Sequence, residues 1–456
     1  MADTRLEKAY TGSNGNMKKW TISVWLKRSG LNSTQYIFAA GENNSADGKL
    51  AFNSSNQLYL QNDGHNGSNN AVQRDLTDTH AWYHIVWRAD TDESANNDRW
   101  KLYINGELIS ASEYGSPSIS SGGAGQIGKW ASQDHWIGDN PRTQQSGNSH
   151  YYFDGYMSHF HYCDGYAYDA SSFGETDATT GEWKIKNSPS VSYGTNGFFV
   201  LKNGNSVTDQ SPNTNNLTVG NGTLVDTKDN PSNCYSTSNV LDNGADKAPT
   251  FGNGNLTHNV GSSVWRFIAS TLGAHKGKFY SEVKIHSNSN NVMVGAVDRD
   301  DIDGNHMASN AYPGGEPLGV GYLASNGNKY LNDSGSSYGN SYTANDIIGI
   351  AMDIDNGFVY FSKNGSFQNG GDPTSGASGT GGIAFPSTSS ATGIKQFVPA
   401  LNNANISVNY GGGHFGTTAI STNSGNGYAG VEGDSKFNYQ PPTGYAALST
   451  KGLNHF

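Results

Sequence analysis

The residues best able to do chemistry include four acids in one short stretch. In DRDDIDGNH, residues 298–306, Asp298, Asp300, Asp301 and Asp303 fall within a single turn. Carboxylates alternating along a turn can wrap Ca2+ through hard oxygen ligands. The EF-hand spacing is absent, because Ile302 stands at the fifth position and no glutamate closes the loop. A solvated acidic turn is the plainer reading, with calcium as the chemical alternative. A second acidic stretch, ETDATTGE, carries Glu175, Asp177 and Glu182. Glycoside hydrolysis needs two carboxylates across a groove, one as acid and one as nucleophile or base. Here the third acid is displaced from tight strand alternation, and the surrounding Gly and Thr read as a solvated loop. His159 and His161 lie two apart on a strand and so share a face, which can begin a metal site. No third ligand is evident, so they are expected on an exposed sheet face, with Phe160 and Tyr162 turned to the core. GSSYG, residues 335–339, fits G-x-S-x-G but lacks the strand-to-helix setting of a nucleophile elbow. No catalytic residue is assigned.

The stronger signal is aromatic. NSHYYFDGYMSHFHYCDGYAYD, residues 148–169, holds more rings than one buried strand face requires. Tyr151, Tyr152, Tyr156, Tyr166 and Tyr168 are the ligand-binding candidates. A tyrosine offers an apolar body and a polar edge, which suits sugar rings and protein interfaces alike. The competing expectation is that these rings pack on a neighbouring loop or domain.

The elements that must position these residues are strands. In RWKLYINGELI, residues 99–109, Trp100, Leu102 and Ile104 fall on one side, and Lys101 and Tyr103 on the other. Asn105-Gly106 then fits a type I′ turn, in which both central residues need positive φ. FVYFSKNGSF, residues 358–367, repeats the design around Asn364-Gly365. Each copy follows an apolar strand and an Asp-bearing turn, which points to two domains of related plan. Tyr, Trp and Phe make up 11% of the 456 residues, and no long helical stripe is found. The fold class is all-β: two tandem antiparallel β-sandwiches. The first spans 1–186 and the second 247–456 with a C-terminal tail. The Asn/Gly/Ser-rich segment 187–246 is read as a connection with one or two strands. The tract QNGGDPTSGASGTGG, residues 368–382, is expected to be a mobile loop.

The net charge of −11 offers no basic stripe for phosphate, so nucleic acid is not an expected partner. No apolar run reaches the length of a membrane span, and no signal peptide is visible at the N-terminus. Cys163 and Cys234 are too few for a disulfide framework and are expected as free thiols, consistent with assembly in a reducing cytoplasm.

The order of these strands is that of a known domain pair. WTISVWLKRS, WYHIVWRAD, WKLYINGE, WIGD and FDGYMSHFHYCDG resemble the strands of laminin-G-like, concanavalin A-like domains. KGKFYSEVKI, NVMVGAVD and DIIGIAMDIDNGFVYFSKNGSF resemble a SPRY domain. YDASSFGETDATTGEWKIK, NCYSTSNVLDNG and FNYQPPTGYAALSTKGL are similar to segments of marine-type tailed-phage virion proteins with this pair. The resemblance implies two concanavalin A-like jelly rolls on a virion surface, in a tail fibre, receptor-binding protein or capsid decoration. Its expected partners are other virion proteins and host-surface polysaccharide. Laminin-G-like relatives often hold calcium on the sandwich rim, and phage fibres are often trimers. Two further readings stay open: a carbohydrate-active enzyme of the same fold, and a purely structural decoration protein.

Overall fold

Strand Lys19–Arg28 shows why this chain builds stacked sheets. Trp20, Ile22, Val24 and Leu26 alternate into the main core, and Thr21, Ser23 and Trp25 take the opposite face. The computed structural model describes residues 3–8, 13–41, 47–144, 149–202, 204, 206–241, 249–261, 263–287, 289–301, 310–315, 317–386, 393–421 and 427–456. They form two units, Met1–Asp226 and Thr227–Phe456. No described helix is long and apolar enough to cross a membrane.

The strands of the first unit are β1 (Arg5–Lys8), β2 (Lys19–Arg28), β3 (Gln35–Gly41), β4 (Gly48–Phe52), β5 (Gln57–Asn62), β6 (Asn66–Asp75), β7 (Tyr83–Asp90), β8 (Trp100–Ile104), β9 (Glu107–Ile109), β10 (Asp134–Ile137), β11 (Gly155–Asp164), β12 (Gly174–Thr176), β13 (Trp183–Ile185), β14 (Phe198–Val200) and β15 (Thr218–Asn221). A seven-stranded sheet, β15-β1-β10-β3-β4-β5-β6, faces a six-stranded sheet, β14-β11-β2-β7-β8-β9. Between them lies an apolar core that includes Trp20, Phe38, Trp87, Trp100, Trp130, Phe160 and Tyr162. Phe198, Val200 and Leu217 belong to the same core. Segment 187–246 is therefore not a connection between two finished sandwiches. Its first part supplies β14 and β15 to the first unit, and the part after Asp226 belongs to the second.

The second unit contains β16 (Thr250–Gly252), β17 (Thr257–Val260), β18 (Arg266–Phe267), β19 (Lys278–Ser287), β20 (Val292–Asp298), β21 (Gly319–Leu323), β22 (Asn328–Leu331), β23 (Ser334–Ser337), β24 (Ile347–Asp353), β25 (Phe358–Lys363), β26 (Ser366–Phe367), β27 (Ile383–Ala384), β28 (Lys395–Leu401), β29 (Ala404–Asn409), β30 (His414–Phe415), β31 (Thr418–Ala419) and β32 (Ala446–Ala447). One sheet follows the path β16-β17-β29-β19-β24-β25-β26, with β27 on β25 and β32 parallel to β19. The other is β18-β28-β20-β21-β22-β23.

Both Asn-Gly hairpins form as read. Asn105 and Gly106 have φ of 50° and 82°, and Asn364 and Gly365 have 49° and 83°. Each Asn side chain accepts from the backbone of the preceding strand, Asn105 Oδ1 from His84 N and Asn364 Oδ1 from Ile347 N. The two units thus share a turn and the way it is pinned.

Both units also cover one outer sheet face with a second layer. In the first, Ala170, Phe173 and Tyr193 pack on Val86, Tyr103, Cys163 and Phe199 of the sheet. In the second, Tyr235, Phe437 and Tyr445 pack with Tyr280, Ala351 and Tyr360. The tract 368–382, expected as a mobile loop, packs on the sheet. Its backbone lies against the rings of Phe358 and Tyr360, where only glycine fits at Gly379 and Gly382. Asp372 Oδ1 caps the turn at Thr374, and Tyr445 donates to the carbonyl of Pro373.

Candidate ligand-binding rim of the first unit

β10 is followed by Gly138, whose φ of 87° turns the chain so that Asp139 is buried. The strand-like stretch after the Pro141–Gln144 turn then returns along β3, with Tyr36 N donating to Tyr151 O at 2.8 Å. This return brings His150, Tyr151 and Tyr152 onto Asp139. The Asp139 side chain is fully buried, and its Oδ1 accepts from Tyr151 N at 2.9 Å. Its Oδ2 stands 2.7 Å from His150 Nδ1 and 3.9 Å from Arg5 Nη1. Nδ1–H donating to this carboxylate fixes the orientation of the ring and leaves its Nε2 edge outward. The His150 side chain is 44% exposed, and its ring is stacked on Tyr152 at 4.9 Å and 3°. Asn221 Nδ2 donates to the Tyr152 hydroxyl at 3.1 Å. Burial and the nearby Asp139 raise the Tyr152 phenol above its usual range, so it stays protonated at neutral pH. The Arg5 guanidinium lies 4.1 Å over the Trp136 ring and donates to Glu7 at 2.6 Å.

Behind this rim the outer face of the seven-stranded sheet is aromatic. Tyr151 stacks on Tyr36 at 5.2 Å, and Tyr36 meets Tyr59 edge-on at 6.5 Å. Lys49 Nζ lies over both Tyr36 and Tyr59 and donates to Asp47, which also takes Arg142 at 2.7 Å. These groups satisfy one another and form a rigid floor. The open elements are the His150–Tyr152 stack and the imidazole edge; beside them lie the Arg5 guanidinium, held by Glu7, and the Asn221 amide, whose Nδ2 donates to Asp3 O and the Tyr152 hydroxyl. Such a set can stack on a ring and exchange hydrogen bonds with hydroxyls.

The five tyrosines singled out from the sequence do not meet in one place. Tyr151 and Tyr152 form the rim. Tyr156 sits near the start of β11, 6.3 Å from Trp82, with Lys27 over its ring. Tyr166 and Tyr168 stack on each other at 5.7 Å beyond the far end of β11. Ten residues of extended chain separate Tyr156 from Tyr166, on the order of 30 Å. Tyr166 is 41% exposed, whereas Tyr168 accepts from Ser192 N and packs on Phe173.

The acidic turn at 298–306 is used for structure where it is described. Asp298 is fully buried, and its Oδ2 accepts from Lys395 Nζ at 2.7 Å and Gly393 N at 3.0 Å. Its Oδ1 accepts from Asp300 N, so an ammonium and two amides hold the oxygens that calcium would need. Asp303 and the side chain of Asp301 lie outside the described residues. Among the described residues, no cluster of three His, Cys, Asp or Glu could hold a metal. Glu175, Asp177 and Glu182 lie on the β12–β13 hairpin. Asp177 Oδ1 caps its turn at Thr179 and Thr180, and Oδ2 takes Lys184 at 2.7 Å. Hydrogen bonding to Lys184 and these amides holds the exposed Asp177 carboxyl below its usual range.

The histidine pair corrects its expectation. Phe160 and Tyr162 do enter the core, but His159 and His161 are buried too, at 8% and 2% exposure. The second layer covers them. Alternation alone places them away from the core without revealing that a later segment roofs that face. Arg5, Asp139 and Asn221 were equally invisible as site residues, because the fold joins them across more than 200 positions.

Comparison with known proteins agrees with this architecture of paired sandwiches. Residues 9–171 match the concanavalin A-like lectin/glucanases superfamily, and residues 278–401 match the SPRY domain. The chain carries a concanavalin A-like domain followed by a SPRY domain. Domains of both families typically mediate binding to proteins or carbohydrates. A stretch of 101 residues is 34% identical to an ATP-dependent RNA helicase, DDX1, of Xenopus laevis; it spans 22% of this chain but only 12% of the helicase. Among solved structures, a human SPRY domain aligns with 33% of this chain and 89% of its own at 17% identity and a TM-score of 0.25. The SPRY domain of human HERC1 gives 35%, 91%, 18% identity and 0.26. Stonustoxin covers 38% of this chain and 26% of its own at 16% identity and 0.28.

Proposed function

We propose that this chain is a non-catalytic surface protein of a tailed-phage particle that binds host-surface glycan through the His150–Tyr152 rim. The observation that carries the binding reading is the half-exposed His150–Tyr152 stack backed by a buried carboxylate and flanked by Arg5 and Asn221. An aromatic face beside fixed hydrogen-bonding groups matches the two sides of a sugar ring, one apolar and one hydroxylated. The joining and C-terminal phrases that resemble virion proteins support the particle setting, with other virion proteins as the remaining partners.

The test is adsorption to host cells and to arrayed host polysaccharides, with His150→Ala and Tyr152→Ala beside the wild type. Each variant is expected to lose about tenfold or more in affinity, the scale of one aromatic contact. Unchanged adsorption in both would rule out the rim. Reducing ends should not appear on incubation with the same polysaccharides. Release that disappears in Glu175→Gln or Glu182→Gln would establish the enzyme reading instead. Immunogold labelling of intact particles tests the virion setting separately.

A further inference from the structure

We propose that segment 165–197, which roofs the outer face of the six-stranded sheet, is an acid-released lid whose catch is the Trp183–His84 hydrogen bond. His84 on β7 is fully buried and stacks on Trp25 of β2 at 4.6 Å and 12°. Trp183 of the β12–β13 hairpin donates its indole N–H to His84 Nδ1 at 3.0 Å. On the other side of the ring, Nε2 stands 2.9 Å from Ser23 Oγ. An indole N–H only donates, so His84 Nδ1 must carry its lone pair and the imidazole must be neutral. A proton added there sets two donors against each other and breaks the bond that holds the hairpin.

The covered face holds two more buried imidazoles, each against a hydroxyl. His161 Nδ1 lies 2.8 Å from the Tyr193 hydroxyl of the lid, with its ring stacked on Phe199 at 3.9 Å. His159 Nδ1 lies 2.7 Å from Ser158 Oγ. The elements around these rings carry Lys27 on β2, Arg88 on β7, Lys101 and Tyr103 on β8, Cys163 on β11, and Lys202 after β14. The lid carries Tyr168, Asp169, Glu175, Asp177, Glu182, Lys184, Lys186 and Tyr193, and Asp209 lies beyond it. Asp169 is held by Arg88 and Tyr103, and Asp177 by Lys184. The charges that reach the three imidazoles are those of one another and of Lys202, all of them cationic when protonated. Burial lowers His84 to about 3 and His159 to about 4, and holds His161 well below its usual range. Freed from the lid, His84 returns to an ordinary value near 6.5, so acid favours the open form. Opening should rise about 25-fold between pH 7 and pH 5 from His84 alone.

Cys163 reports the event, because it is fully buried on the covered face among Ala170, Phe173 and Tyr193 of the lid. The experiment uses the full chain with Cys234→Ser, so that Cys163 is the single thiol. Its reaction with 4,4′-dithiodipyridine, which works in acid, is followed from pH 7 to pH 5 and normalised to the urea-unfolded protein. The expected result is a normalised rate that climbs at least 25-fold while the far-ultraviolet circular dichroism stays unchanged. Trp183→Phe keeps the ring but not the N–H, and should react faster than the wild type already at pH 7. His84→Gln keeps an acceptor for Trp183 that does not titrate, and should flatten the acid response. A flat wild-type profile overturns the proposal. So does a His84→Gln response equal to the wild type, or loss of the dichroism signal in step with labelling.

Discussion

Glu282 on β19 shows what a single buried carboxylate does in the second unit. Its Oε2 accepts from Asn438 N at 2.8 Å and Asn409 Nδ2 at 3.2 Å, and its Oε1 from Tyr439 N at 2.8 Å and the Tyr280 hydroxyl. The group ties the C-terminal segment to the sheet. Complete burial raises it to about 7, against the pull of those donors in the other direction. The native state therefore keeps a proton that the unfolded chain has released between about pH 4.5 and pH 7. Stability from this group falls as pH rises through that window, by roughly 3 kcal/mol in all. Glu282→Gln should remove this slope, and the difference between wild-type and variant unfolding free energies measured from pH 4.5 to pH 7.5 reads it directly. The variant should also be less stable at pH 4.5 by ~1–3 kcal/mol, because the amide NH2 sets two hydrogens against the waiting donors where the protonated carboxyl sets one. A difference that stays constant with pH would mean that the carboxyl titrates normally in the fold. None of this was legible in the sequence: Glu282 sits in SEVKI as one polar residue among several, and three of its four partners, Asn409, Asn438 and Tyr439, lie more than 120 positions away.

At the scale of elements the hairpins and strands were legible because their signals are local. Asn-Gly after an aromatic strand specifies its own turn, and alternation in WKLYI sends Trp100, Leu102 and Ile104 inward, where they are found. Each turn glycine is fixed by more than its φ. A Cβ on Gly106 would stand 2.5 Å from the Trp183 ring, and one on Gly365 2.7 Å from Tyr439. Gly106→Val should lower the unfolding transition of the first unit alone, and Gly365→Val that of the second alone. Positive φ at a β-branched residue and displacement of a ring together amount to ~1–3 kcal/mol, or about 2–4 °C per kcal/mol in a unit of this size. Differential scanning calorimetry checks this, and movement of the wrong transition would break the assignment of each hairpin to its own core. The second layers were not legible, because composition misleads there. QNGGDPTSGASGTGG offers few side chains to bury, Gln368 and Pro373 among them, yet it is held by rings that belong to another strand and by hydroxyl and carboxylate caps of its own.

At the scale of the whole molecule, the position of the boundary is what sequence composition misjudged. Asn, Gly, Ser and Thr crowd residues 187–246, which reads as a linker. Within it Phe198 and Val200 on β14 complete the six-stranded sheet beside β11, and β15 closes the edge of the seven-stranded sheet against β1. Asp209 fastens the connection between them, accepting from Phe199 N, Ser211 N, Ser211 Oγ and Asn215 N. A fragment ending at residue 186 lacks Phe198, Val200 and Leu217, three side chains of the main core, and loses Phe199, the cross-strand neighbour of His161. Truncating buried side chains of this size removes ~2–5 kcal/mol each, together comparable to the usual stability of a domain. Fragment 1–226 should therefore fold by itself with a cooperative thermal transition, and fragment 1–186 should not. Circular dichroism melts of the two fragments decide it. Equal cooperativity in both would return the first domain to its shorter form and leave β14 and β15 as additions the sandwich does not need.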